Sequence, residues 1–136
     1  MFTRTHLIHP SLRTSELGST APLEELEELD RLATTIHVRE GERIVRMDGF
    51  GRECFVVIDG EFRIERDDLT VTVGPGSVIG ELALLTGKPR NATVTATTDA
   101  SVYVLTRSEF VTMLHHCPNI ARHVFDGALR RTTAAA

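Results

Sequence analysis

Between Thr35 and Thr106 the chain alternates apolar and polar residues in short runs, and outside that span the spacing changes to threes and fours. The runs are TIHVR (35–39), RIVRM (43–47), ECFVVID (53–59), EFRIERD (61–67), LTVTV (69–73), SVI (77–79), ATVTA (92–96) and SVYVLT (101–106). Turn-forming residues separate them: Gly41, Asp48-Gly49, Asp59-Gly60, Asp67-Asp68, Gly74-Pro75-Gly76 and Asp99. Asp59-Gly60, set between FVVI and EFRI, predicts a two-residue hairpin. Period-two runs broken by turns predict strands. Eight of them predict a mainly β fold with flanking helices, an eight-stranded β jelly-roll barrel over residues 35–106.

The flanks read as helices. Residues 1–20, mixed and polar, form a lead that is flexible or a short helix. A single domain follows over residues 21–136. In STAPLEELEELDRLA, Leu23, Leu26, Leu29 and Leu32 recur every third residue with acids between them. That is an amphipathic helix with Thr20 as its cap, Pro22 near its start and the acids on its solvated face. Two further helices are predicted over residues 108–131. SEFVTMLHH starts from Ser108 as N-cap, and PNIARHVFDGALRR starts at Pro118 with Ile120, Val124 and Ala128 on one face.

A chain of 136 residues suits one core. Its formal charge of -4 argues against a dedicated nucleic-acid binder, which usually carries a basic face, but leaves room for a small anion held by a local arginine. No secretory leader is read at the N-terminus, and no apolar run approaches the ~18 residues of a membrane helix. The expectation is a cytoplasmic protein with no membrane partner. Cys54 and Cys117 have no metal-ligand spacing and read as two buried free thiols. A metal-dependent jelly-roll enzyme needs several inward histidines. Of His6, His9, His37, His115, His116 and His123 only His37 falls in a predicted strand, so no metal site and no enzyme activity are expected.

The strand run is interrupted once, by GELALLTGKPRNATV (80–94). A helix of about five residues, Glu81 to Leu85, fits between Gly80 and Gly87. It is too short to stand alone, so leucines must pin it to the barrel. Its N-terminal N–H groups favour an anion, and Gly80 lets backbone approach a ligand closely. Arg90 brings a planar fork suited to phosphate. Glu81 suits a ligand that offers hydroxyls beside its phosphate, as a ribose does. The competing reading is an ordinary Glu81–Arg90 surface ion pair, worth under ~1 kcal/mol. Neither TGKPR nor GPGSVIG meets the requirements of a Walker A or dinucleotide loop.

This segment resembles the phosphate-binding cassette of cyclic nucleotide-binding domains, roughly F-G-E-x-A-L-L…P-R-x-A-x-V. The similarity extends through VREGERIVRMDGFGRECFVVIDGEFRI and SVYVLTRSEFVTML, over about residues 22–131. The resemblance implies that Glu81 binds the ribose 2′-OH and Arg90 the exocyclic phosphate oxygens. Gly80, Leu82, Ala83, Asn91 and Ala92 would supply close backbone contacts. Thr70 and Val71 would touch the ligand from the barrel, and Val124, Phe125 or Arg122 from a lid helix over residues 118–131. Ile79 departs from the usual phenylalanine, and Asn91 stands where Ala, Ser or Thr is usual. The implied ligand is cyclic AMP, less readily cyclic GMP, with no other cofactor. About five residues follow the lid helix, too few for a helix-turn-helix domain, so the expectation is a stand-alone regulatory module or a domain of a longer chain. Its partner would be an effector protein or domain, or a second copy in a homodimer paired through the last helix. The alternative is a degenerate barrel that binds no nucleotide and serves as a protein-interaction scaffold.

Overall fold

The computed structural model describes residues 8–135, with side chains described through residue 127. Each of the eight predicted runs holds one strand: β1 (Thr34–Val38), β2 (Arg43–Val45), β3 (Glu53–Asp59), β4 (Phe62–Arg66), β5 (Leu69–Val73), β6 (Val78–Ile79), β7 (Thr93–Ala96) and β8 (Ala100–Thr106). They form two four-stranded antiparallel sheets, ordered β1-β8-β3-β6 and β2-β7-β4-β5, in a jelly roll.

The first sheet is covered on both faces, and its sequence shows why. Every residue from Cys54 to Ile58 is buried. Cys54, Val56 and Ile58 join Tyr103 and Leu105 under the helices, while Phe55 and Val57 join Phe62, Val94, Val102 and Val104 in the second apolar cluster. Successive side chains point to opposite faces, so a continuous apolar run marks a strand with a core on each side. This central position overturns the hairpin expected at Asp59-Gly60. β3 pairs with β8 and β6, whereas β4 pairs with β5 and β7 in the other sheet. Gly60, at φ +93°, instead carries the chain between sheets past Ala100, where a Cβ would lie 2.6 Å from that residue's side chain. The tight hairpin is at Asp67-Asp68, between β4 and β5, with Asp67 at φ 53°.

Among the described residues six helices complete the fold: α1 (Pro10–Arg13), α2 (Glu16–Thr20), α3 (Leu23–Leu32), α4 (Glu81–Thr86), α5 (Arg107–His116) and α6 (Pro118–Ala135). Of the expected lead, residues 1–7 lie outside the described residues. The remainder forms α1 and α2, and its Ile8, Leu12 and Leu17 join the same cluster as Leu26 and Leu29 of the leucine stripe. Two caps differ from expectation. Thr20 ends α2, its hydroxyl donating to the Glu16 carbonyl, and Pro22 precedes α3 without a side-chain cap. Thr106, not Ser108, caps α5 through a reciprocal box with Glu109, because α5 begins two residues earlier than a cap at Ser108 implies.

The acids of α3 are not all solvated either. Glu25 is 8% exposed and sits against the start of α6. Its carboxylate accepts from the Asn119 and Ile120 backbone N–H groups, both at 3.0 Å, and from Asn119 Nδ2 at 2.6 Å. Cys117, just before α6, has no oxygen with which to cap, so a carboxylate from another helix satisfies these orphan donors and complements the helix dipole. Tyr103 adds a second tie by donating to Asp30 Oδ1 at 3.0 Å. Replacing Glu25 by Ala strands one buried and two part-buried donors. We expect a loss of about 2–3 kcal/mol, read as a lower urea midpoint at unchanged m-value, with Glu25→Gln losing less. A change below ~0.5 kcal/mol for Glu25→Ala would show that water replaces the carboxylate at no cost.

Candidate functional site

α4 begins and ends at left-handed glycines, Gly80 at φ 86° and Gly87 at φ 71°. A left-handed residue is strained for anything with a Cβ, and these two set the helix off from the strands on either side. Its six residues are pinned as the sequence required, although by Ala83 and Leu84. Leu84 enters the cluster under the helices with Phe110 and Met113, whereas Leu85 is 41% exposed. Arg107, the first residue of α5, donates to the Leu84 carbonyl at 3.0 Å, so α4 is also fastened at its far end.

Beneath α4 lies a cavity of about 340 Å³. Its barrel side is apolar, built by Val45, Ile64, Val78 and Val94, and its other side is the Gly80–Ala92 segment. That volume falls at the small end of ligand pockets, which run from about 300 to 1,000 Å³.

Arg90 reaches this cavity from below and is itself 9% exposed. Its Nη1 donates to the Gly80 carbonyl at 2.9 Å and its Nη2 to the Glu53 carbonyl at 2.6 Å. These two bonds occupy two of the five N–H donors of a guanidinium and leave three for a ligand. The group fits only because two glycines make room: a Cβ on Gly51 would lie 2.4 Å from its Cζ, and one on Gly80 2.2 Å from Nη1. The backbone is held as firmly, with Arg90 N–H donating to the Gly49 carbonyl at 2.7 Å and Asp48 N–H to the Arg90 carbonyl at 2.9 Å. Burial draws the guanidinium pKa down from its ordinary value, an effect opposed by Cys54 and Glu53. Two carbonyls hold Arg90, and both it and Glu81 are buried, so this is not the surface ion pair considered from the sequence. Glu81 opens α4, is 1% exposed and lines the same cavity.

The structure thus brings Gly80, Glu81, Leu82, Ala83, Arg90, Asn91 and Ala92 to one cavity. Val71 and Val124 do not line it. Val71 stands opposite Ile64 across β4 and β5, which puts it on the cavity side but farther out, 45% exposed. Thr70 stands opposite Glu65 on the other face. Val124 is 1% exposed inside the helical cluster, because the inward face of α6 packs on α2 and α5. Arg122 and Phe125 are exposed outside the cavity lining. Sequence reasoning missed Gly51, the Glu53 carbonyl and the wall residues Ile64 and Arg66. The alternation Phe62, Ile64, Arg66 along β4 was the available signal for the last two. His37 bonds Ser101 Oγ at 2.9 Å, and no metal-holding cluster occurs among the described residues.

An antiparallel jelly roll interrupted by one short helix over an arginine-bearing apolar cavity is the plan of a ligand-binding domain. The chain belongs to the cyclic nucleotide-binding domain family, whose profile matches residues 35–117. A cyclic nucleotide-gated potassium channel of Rhizobium etli is 34% identical over 116 residues, covering 85% of this chain and 32% of the channel. One of Mesorhizobium japonicum is 35% identical over 111 residues, covering 82% and 31%. The chain therefore spans about a third of the length of these curated relatives. Among solved structures, PKAR CBD2 bound to Sp-2Cl-cAMPS superposes with a TM-score of 0.76 at 24% identity, covering 93% of this chain and 88% of that one. The Thermus thermophilus catabolite activator protein superposes with a TM-score of 0.74 at 24% identity, covering 92% and 59%. At these identities the likeness to the two structures is one of fold.

Gly51→Ala should leave the fold intact, because its clash is with the end of a flexible side chain, while moving the guanidinium. The Arg90 Nε–H resonance should shift in NMR spectra at a near-wild-type melting temperature; an unmoved resonance would mean that the glycine gap is not what seats Arg90. The thiols give a second expectation. Burial pushes Cys54 up from 9.0 to about 12, with Arg90 opposing and Glu53 adding, and pushes Cys117 up to about 11, with Glu25 and Glu28 adding and Arg31 opposing. The folded state therefore holds these protons more tightly than the unfolded state. The stability this brings is complete below about pH 9 and is lost as pH climbs toward 11 and 12. Both thiols should resist alkylation at pH 8 until denaturant is added, and rapid native labelling of either would contradict the burial.

Proposed function

We propose that this domain binds a purine 3′,5′-cyclic nucleotide beneath α4 and signals its occupancy through α5 and α6. One observation carries the reading: a buried guanidinium with three unused N–H groups and a buried carboxylate line the same small apolar cavity. Such a pair suits a ligand carrying one anionic phosphodiester and a hydroxyl. Arg90 takes the phosphate oxygens, Glu81 accepts from the ribose 2′-OH, and the backbone of Leu82, Ala83, Asn91 and Ala92 closes on the phosphate. Cyclic AMP, the preference read from the sequence, and cyclic GMP present the same phosphate and sugar to these anchors.

The route outward starts at α4. Leu84 lies in the same apolar cluster as Phe110 and Met113 of α5, and the bond from Arg107 to its carbonyl joins the two helices end to start. A ligand that draws α4 toward Arg90 then favours one placement of α5 and α6 over another, a shift set by its unequal affinity for the two states. The domain is regulatory rather than catalytic, and the effector is a further domain or a separate chain. No helix among the described residues is long and apolar enough to cross a membrane.

Calorimetric titration with both cyclic nucleotides tests the reading. Arg90→Ala should cost ~2–5 kcal/mol of binding, ~30-fold or more, with little loss of fold stability. Equal affinities for wild type and Arg90→Ala would remove the phosphate role. No heat from either nucleotide in the wild type would leave the scaffold reading in its place.

A further inference from the structure

We infer that Arg66 reads the edge of the bound base and turns the site toward guanine. The inference rests on the cyclic nucleotide reading above and concerns the part of the ligand that Arg90 and Glu81 do not reach. Arg66 closes β4 and lines the cavity. It shares its face of the strand with Phe62 and Ile64, whereas the intervening Arg63 and Glu65 pair with each other at 3.0 Å on the opposite face. Arg66 is half-buried and makes no hydrogen bond or ion pair among the described residues, although acids flank it at Glu65, Asp67 and Asp68. A guanidinium on a cavity wall with all its donors unused has the capacity to take a ligand atom.

Its surroundings decide which atom. Across β4 and β5, Arg66 stands opposite Leu69 and Ile64 opposite Val71. Leu69 is 53% and Val71 45% exposed, so apolar side chains on the cavity side of the sheet have surface left to cover. A planar base covers such a wall; a phosphate does not. The phosphodiester carries one charge, which Arg90 already meets. Arg66 therefore borders the base. A guanidinium only donates. Guanine offers the adjacent acceptors O6 and N7 to a bidentate fork, whereas adenine offers N7 beside an amino donor that opposes it. Asn91, whose amide both donates and accepts and so leaves the choice between cyclic AMP and cyclic GMP open, is exposed.

The test titrates wild type, Arg66→Leu, Arg66→Lys and Lys88→Ala by calorimetry with cyclic GMP, cyclic IMP and cyclic AMP. Cyclic IMP keeps O6 and N7 but lacks the 2-amino group. The wild type should favour cyclic GMP and cyclic IMP over cyclic AMP by roughly tenfold or more. Arg66→Leu should abolish that ratio mainly by weakening the first two. Arg66→Lys, which keeps the charge but not the fork, should also lose most of it. Lys88→Ala removes a cation from the same cavity and should weaken all three alike, keeping the ratio. Melting temperatures matched to wild type show that the variants are folded. A parallel loss for all three nucleotides on Arg66→Leu, an unchanged ratio, or a wild-type preference for cyclic AMP overturns the inference while leaving the site reading intact. Absence of binding by the wild type removes both.

Discussion

A buried guanidinium needs acceptors, and in this chain two main-chain carbonyls provide them. Arg90 joins Glu53, at the start of β3, to Gly80, at the start of α4. Its own backbone is laced to the β2–β3 loop by the exchange with Asp48 and Gly49. Through side chain and backbone one residue thus joins the region from Asp48 to Glu53 with the start of α4, the helix that roofs the cavity. The constraint propagates to composition. Gly51 and Gly80 leave the gap in which the guanidinium lies, and Gly80 must in addition hold φ 86°. Any side chain at either position competes with Arg90 for the same space.

The helices are coupled to that roof by the same chemistry at longer range. Each of the two joints is a helix end whose orphan groups are met from another helix: Arg107 at the carbonyl end of α4, Glu25 at the amide end of α6. Charged groups at such ends are stronger partners than neutral ones and are directional. The apolar cluster that Leu84 shares with Phe110 and Met113 supplies area but no fixed register. The two charged joints fix register, one between α4 and α5 and the other between α3 and α6.

Much of this was legible because it is local. Period-two runs located all eight strands, and the Gly80–Arg90 segment marked the only substantial break among them, since helix and turn chemistry there are written in adjacent residues. What was illegible was long-range. Asp59-Gly60 has the composition of a hairpin, yet β3 is flanked on both sides by other strands, and no local pattern announces that competition. Glu25 looked like one more solvated acid of α3 because its partners lie more than ninety residues away. Val124 sat at helical spacing suitable for a lid, but the same spacing serves a core, and the core claimed it. Arg90 and Glu81 stood out, whereas Gly51 and the Glu53 carbonyl did not, because a carbonyl acceptor leaves no trace in residue type.

The seating of Arg90 also explains why a ligand can matter to a small domain. Burial works against the cation, as the downward pull on its pKa shows, and the two carbonyls offset this only with dipoles. On the proposed reading, an arriving anion would bring a full opposite charge to a group that the fold has already placed and desolvated. The ordering cost has been met in folding rather than in binding, which favours affinity. A neutral residue at position 90 would relieve the fold of a buried charge and remove the reason for an anion to enter. The features least favourable to the stability of this domain, two left-handed glycines around a six-residue helix and a cation beneath it, are gathered where a ligand can repay them.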